Sequence, residues 1–150
     1  MSTYTPEDPN FVARVEGSFE RQTFMQTLGA SMTRVEPGFV SIEMPFQEAL
    51  TQQHGFLHAG AVASIVDSAC GYAALTLMPD DAAVLSVEFK VNMLSPAKGE
   101  RMVAEGRVKK AGRTLMVCTG DVWAVTGEQR KNVMTMTATM MVVRGRGLKD

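Results

Sequence analysis

From Ala59 to Met78 the chain runs for twenty residues with a single charged side chain, Asp67. Ala, Gly and Ser dominate the stretch, the β-branched residues are scattered, and no Pro intervenes before Pro79. That pattern predicts one long helix over 59–78, roughly 30 Å from end to end at about 1.5 Å per residue. A helix apolar on every side must be buried, in lipid or in protein. Its small residues and its mid-helix carboxylate decide for protein, because an ionised Asp at the bilayer centre costs several kcal/mol.

Asp67 has two readings. It is satisfied by a backbone amide or by the hydroxyl of Ser64 or Ser68, as buried polar groups usually are. Alternatively, it is held in a partly dry pocket to attack or deprotonate a substrate. Upstream, Gly55, Phe56, Leu57, His58, Ala59 and Gly60 lead into the helix start, where free backbone N–H groups and the helix dipole favour developing negative charge. Ala59 and Asp67 are eight residues apart, about 12 Å along the axis. One acyl carbonyl cannot be held at the first and attacked from the second. If both act on one substrate, they come from two copies of the chain, which predicts a homodimer with shared active sites.

The bulk numbers narrow the rest. A chain of 150 residues reads as one domain with room for a substantial core. A net charge of −1 supplies no field for nucleic acid or an anionic membrane. Cys70 and Cys118 are too few for a disulfide framework and lie in apolar stretches, so buried free thiols in a reducing cytoplasm are expected. The opening MSTYTPEDPNF has neither a basic nor an apolar leader segment, so no secretion signal is expected. With His54 and His58 as the two histidines and no Cys/His cluster, no metal site is expected.

In chain order, residues 1 to about 8 read as a loose tail. Pro9 to Leu28 read as one or two short helices broken near Gly17 and stopped by Gly29, making 1–28 a helical extension. Ala30–Glu36 and Phe39–Pro45 are strands joined by Pro37-Gly38. After the helix, Leu85, Val87, Phe89, Val91 and Met93 alternate with Ser86, Glu88, Lys90 and Asn92, a period of two that places Ser86 with the outward polar set. Strands over about 100–110, 114–125 and 131–143 follow, the second carrying Trp123. Short turns imply a four-stranded antiparallel meander after the helix. The sum is an α+β fold, with a five- to six-stranded antiparallel sheet curled around one helix. Its open edges would be covered by an edge-to-edge dimer.

The run Gln52-Gln53-His54-Gly55-Phe56-Leu57-His58-Ala59-Gly60, Asp67 seven residues on, then Ser86-Val87-Glu88-Phe89 and Ser95-Pro96-Ala97-Lys98-Gly99, resembles the hotdog-fold acyl-CoA thioesterases, nearest the phenylacetate-pathway (PaaI-like) branch. The resemblance covers roughly residues 30–143. It implies a curved sheet around a central helix, dimers that often pair into tetramers, and hydrolysis of CoA thioesters at the dimer interface. It further implies Asp67 as general base or nucleophile and the Ala59 amide as oxyanion donor, where a Gly is usual. Gln52, where Asn is usual, would orient the thioester or water, with Ser86 near the nucleophilic water and His58 at the helix start. Gly60 and Ser68 would line the substrate site. Lys98, Lys109 and Arg113, at strand ends and turns, are candidates to meet the CoA phosphates. CoA belongs to the substrate, so no separate cofactor is implied.

Two rival readings remain at this level. One is a non-catalytic acyl-CoA or acyl-carrier binding module. The other is a hotdog enoyl-CoA hydratase, whose chemistry resembles a His–acid dyad acting on an α-proton.

Overall fold

The computed structural model describes residues 4–148 and 150. Two short helices, α1 (Phe11–Glu20) and α2 (Thr23–Thr27), open the chain. Gly17 does not interrupt α1; the break falls at Gln22, whose backbone is extended, and Gly29 ends the pair at φ +63°. Of the expected loose tail, residues 1–3 lie outside the described residues. Asp8 is buried: it caps the Asn10 amide at 2.8 Å and faces Arg14 at 3.7 Å. Arg14 in turn donates to the Met78 carbonyl at 3.1 Å, so α1 is fastened to the loop that leaves the central helix.

The sheet contains β1 (Ser31–Glu36), β2 (Phe39–Pro45), β3 (Ala82–Met93), β4 (Arg101–Ala111), β5 (Leu115–Thr126) and β6 (Gln129–Arg144). All its pairs are antiparallel, in the order β1-β2-β4-β5-β6-β3. The expected meander is therefore confined to β4, β5 and β6. β3 pairs with β6 rather than with its successor. The chain after Met93 crosses instead of turning back, because Leu94 is tied to Val133 and Ala97 accepts from the Leu57 amide at the helix start.

The central helix α3 (Ala59–Leu75) packs on β2, β4, β5, β6 and β3, and its buried side chains meet Ile42, Met44, Ala104, Met134 and Met136 in one core. It stops three residues before the apolar run does. The Thr76 hydroxyl donates to the Ala73 carbonyl at 2.6 Å and accepts from the Gly38 amide at 2.8 Å, which anchors the helix end to the β1–β2 turn. The close approach of α3 to the sheet depends on Gly106 and Gly120, paired across β4 and β5. A Cβ on Gly106 would overlap the Ala69–Cys70 peptide, and one on Gly120 would overlap the Val66 side chain. Gly106→Ala is expected to destabilise by about 1–3 kcal/mol or more, as core overpacking does, since the obstacle is backbone. Chemical denaturation with an unchanged midpoint would count against this.

The helix is not covered all round. Its buried positions Val62, Ile65, Val66, Ala69 and Cys70 face the sheet, while Gly60, Ala63, Ser64, Asp67 and Ser68 form a stripe that stays partly open within one chain. Beside it, the edge strand β3 leaves Leu85, Val87, Phe89 and Met93 between 47 and 61 % exposed. A small-residue helix stripe bearing Asp67 and an apolar strand surface are thus open side by side.

Candidate active site

Two clusters of polar groups lie on α3. The first is its N-terminus. His58 has extended backbone (φ −62°, ψ 135°), and its Nδ1 accepts from the Gly60 amide at 2.8 Å. The Ala61 and Val62 amides bond to the His58 carbonyl. Among the described residues this leaves the Ala59 amide without a partner, at the positive end of the helix dipole. The loop before it is fixed by Gln52 N–H to the Phe56 carbonyl at 2.8 Å and His58 N–H to the Leu50 carbonyl at 2.8 Å. The Gln52 side-chain oxygen accepts from the His54 amide. Gln52, His58 and Ala59 line a largely apolar cavity of about 600 Å³, together with Phe56, Val62 and Met134. Lys98 is exposed next to Ala97, which also lines it.

The second cluster is two turns further along. Ser86 Oγ donates to Asp67 Oδ1 at 2.8 Å. Neither Ser64 nor Ser68 satisfies this carboxylate: the Ser64 hydroxyl returns to the Gly60 carbonyl at 2.7 Å, and that of Ser68 donates to Gln22 Oε1 at 3.2 Å. Burial raises the Asp67 pKa above the ordinary carboxylate value, and the Ser86 hydrogen bond opposes that shift. A carboxylate so placed is a stronger base than a solvated one.

Strict alternation would turn Ser86 away from the helix. A β-bulge between Ser86 and Glu88 reverses the phase. Ser86 is opposite Met140 and Phe89 opposite Ala138, both buried positions of β6, whereas Glu88 is opposite Thr139 and bonds to it on the outer face. Nothing in the local sequence marks this insertion. Ser86→Ala is expected to raise the Asp67 pKa further, since the donor that favours the carboxylate is lost. The acid limb of the pH–rate profile should then move upward, with kcat falling about tenfold or more. An unshifted limb would separate Ser86 from Asp67.

Asp67, Ser86 and Ser68 line a separate cavity of about 130 Å³. Its remaining polar lining, Gln22, Tyr72 and Asp150, has no local sequence signature pointing to a site, since those residues converge from α1–α2, α3 and the end of the chain. Lys109 and Arg113 are exposed at the far end of β4, some ten residues and about 33 Å along the strand from the Lys98 side. Arg113 lines a different cavity there, with Arg144 and Leu77. Among the described residues no cluster of His, Cys, Asp and Glu could hold a metal ion, and no helix is long and apolar enough to cross a membrane.

The thioesterase superfamily profile matches residues 54–131, which include the helix start, Asp67 and Ser86. The chain belongs to the thioesterase superfamily. A crystal structure of a thioesterase family protein from Silicibacter pomeroyi is similar at 52% identity, with a TM-score of 0.88 over 90% of this chain and 99% of that one. Human acyl-coenzyme A thioesterase 13 is 32% identical over 110 residues, spanning 72% of this chain and 78% of that protein. The PaaI protein from the phenylacetic acid degradation operon of E. coli has the same fold at 18% identity, with a TM-score of 0.82 over 91% of this chain and 95% of that one. The fold is thus the hotdog fold, with α3 as the central helix, and the class of reaction is thioester hydrolysis.

Proposed function

We propose that this thioesterase hydrolyses acyl-CoA at a site assembled from two protomers. The Ala59 amide of one, with Gln52 and His58 behind it, receives the carbonyl oxygen, and Asp67 of the other, with Ser86, drives attack on the carbonyl carbon. The observation that carries this reading is the separation of the two clusters: within one chain they lie two helical turns apart and line different cavities.

A two-fold axis joins them. If two copies of α3 run antiparallel with the axis passing Ala63, then Ala59, four residues before it, lies opposite Asp67, four residues after it. The stripe Gly60, Ala63, Ser64 is small enough for two helices to come close, and the neighbouring β3 offers unpaired edge groups with exposed apolar side chains. Pairing β3 to β3 would cover both open surfaces at once, and such dimers could pair again into tetramers.

The chemistry is economical in residues. CoA thiolate is a good leaving group, so an oxyanion donor and a base suffice, without a strong general acid or a cofactor beyond the CoA that the substrate brings. The name of the human relative, an acyl-coenzyme A thioesterase, supports CoA as the carrier. Lys98 is the cation we assign to its phosphates; Lys109 and Arg113, at the other end of β4, are too far from the helix-start cavity to meet the same CoA. Two free, buried cysteines fit a reducing compartment, and we assign the enzyme to the cytoplasm. A hydratase would need a His–acid pair. His58 Nδ1 is occupied as the helix cap, and the described ring contact of His54 is with Gln53.

Release of free thiol from a panel of acyl-CoA esters is the test. Turnover is expected with at least one ester. Hydration of enoyl-CoA without thiol release, or binding without turnover, would favour the rival readings.

A further inference from the structure

Beside the Asp67 carboxylate, one wall of the cavity of about 130 Å³ is lined by Gln22, Tyr72 and Asp150, which are joined by hydrogen bonds drawn from four parts of the fold. Asp150 Oδ2 accepts from the Val84 amide at 2.7 Å, and its Oδ1 accepts from the Ser18 hydroxyl at 3.3 Å. The Ser18 and Tyr72 hydroxyls are 3.4 Å apart, Gln22 Nε2 donates to the Tyr72 hydroxyl at 3.5 Å, and the Ser68 hydroxyl donates to Gln22 Oε1. Each of these polar groups finds its partner inside the wall. A wall satisfied in this way has little to offer a ligand and much to lose by moving, because displacing Asp150 would strand a carboxylate and a strand-edge amide together.

We propose that the wall built by Asp150 and Gln22 is the acyl-length stop of the Asp67 site. This rests on the acyl-CoA reading above. A thioester reaching Asp67 has two ends to place. The large apolar cavity at the helix start, with Lys98 beside it, has the volume and the cation for the pantetheine arm and phosphates of CoA. That leaves the acyl group the small cavity. About four groups of water size fit there, at roughly 30 Å³ each, so an acyl chain of about four or five carbons fills it. A longer chain meets the Asp150–Ser18–Tyr72–Gln22 chain end-on.

The test is kcat/KM for straight saturated acyl-CoA esters from about two to about twelve carbons, measured for the wild type, Asp150→Ala, Asp150→Asn and Gln22→Ala, with thermal melts to establish that each is folded. The wild type is expected to peak near about four carbons. Asp150→Ala opens the wall and should raise octanoyl relative to butanoyl turnover about tenfold or more. Asp150→Asn, which keeps the side chain's size and an acceptor oxygen for the Val84 amide, should leave that ratio within about threefold. Gln22→Ala opens the wall from the other side without touching the Asp150 contacts and should also favour longer chains. The proposal is overturned by a length profile in Asp150→Ala and Gln22→Ala that matches the wild type, by an equal shift in Asp150→Asn, or by a wild type that already prefers long chains. Those outcomes leave hydrolysis itself standing. Absence of thiol release from every ester by the wild type would instead overturn the hydrolase reading and this proposal with it.

Discussion

Asp67→Asn is expected to lower kcat for acyl-CoA hydrolysis by about 10²–10⁴, the usual worth of a positioned base, while the protein stays folded. Asn keeps the shape of the side chain and an oxygen to accept the Ser86 hydrogen bond that now reaches Asp67 at 2.8 Å. What it loses is the negative charge. The same substitution makes a stability statement with a definite sign. Burial raises the folded-state pKa of Asp67, with the Ser86 bond opposing. A carboxylate raised in this way favours the folded state below its unfolded pKa, and that contribution is lost as pH rises through the folded pKa. Above the folded pKa the ionised group is therefore less favourable to folding than the protonated one is below it. Relative to the wild type, Asp67→Asn should gain in Tm as pH rises through that pKa and lose the advantage in acid. In the wild type, kcat/KM should fall on an acid limb lying above the ordinary carboxylate value. An Asn variant that hydrolyses normally would remove Asp67 from the mechanism; one that melts well below the wild type at neutral pH would make the carboxylate a structural group.

Mixing two dead variants should restore activity. Ala59→Pro deletes the amide proposed to hold the oxyanion, and it does so where Pro is well tolerated. Ala59 is the first residue of α3, and the preceding His58 already has the extended backbone that Pro imposes on its neighbour. The variant should fold and lose about 10²–10³ in kcat, the worth of one oxyanion donor. Alone, Ala59→Pro and Asp67→Asn are each inactive at both sites of a dimer. In a mixed dimer one site carries both lesions and the other carries none, so random exchange of subunits recovers about a quarter of wild-type activity. Coexpression of differently tagged chains, followed by purification of the mixed species, provides the measurement, and there the expected recovery is about half, one intact site of two. A chain holding its own complete site would show no recovery at all, and that result would end the two-protomer reading.

Much of this was legible in the chain itself, for reasons that are local. Helix α3 follows from composition, because a Pro-free run rich in Ala and bearing one charge has few other ways to bury itself. The strands follow from a period of two, and the helix start from His58 falling just before that run, with Ala59 and Gly60 opening it. Asp67 stands out by its isolation, since a lone carboxylate in such a helix calls for a reason. The eight-residue interval to Ala59 is likewise readable from the chain, and it sets the two groups about 12 Å apart along the helix.

Tertiary structure decided what depends on residues distant in sequence. A period of two says that 82–93 is a strand but is silent on its neighbour, so the pairing of β3 with β6 had to come from the fold. The bulge beside Ser86 is one extra residue against β6, invisible to alternation, yet it puts that hydroxyl on the helix side of the sheet, within hydrogen-bond distance of Asp67. His58 serves as the helix cap because its ring folds back on the Gly60 amide. Asp150, 83 residues after Asp67 in the chain, lines the same cavity because its carboxylate accepts from the Val84 amide of β3. Periodicity and propensity act over a few residues and survive in the sequence as pattern. Register and long-range hydrogen bonding depend on which distant segments meet, and the folded chain alone supplies that information.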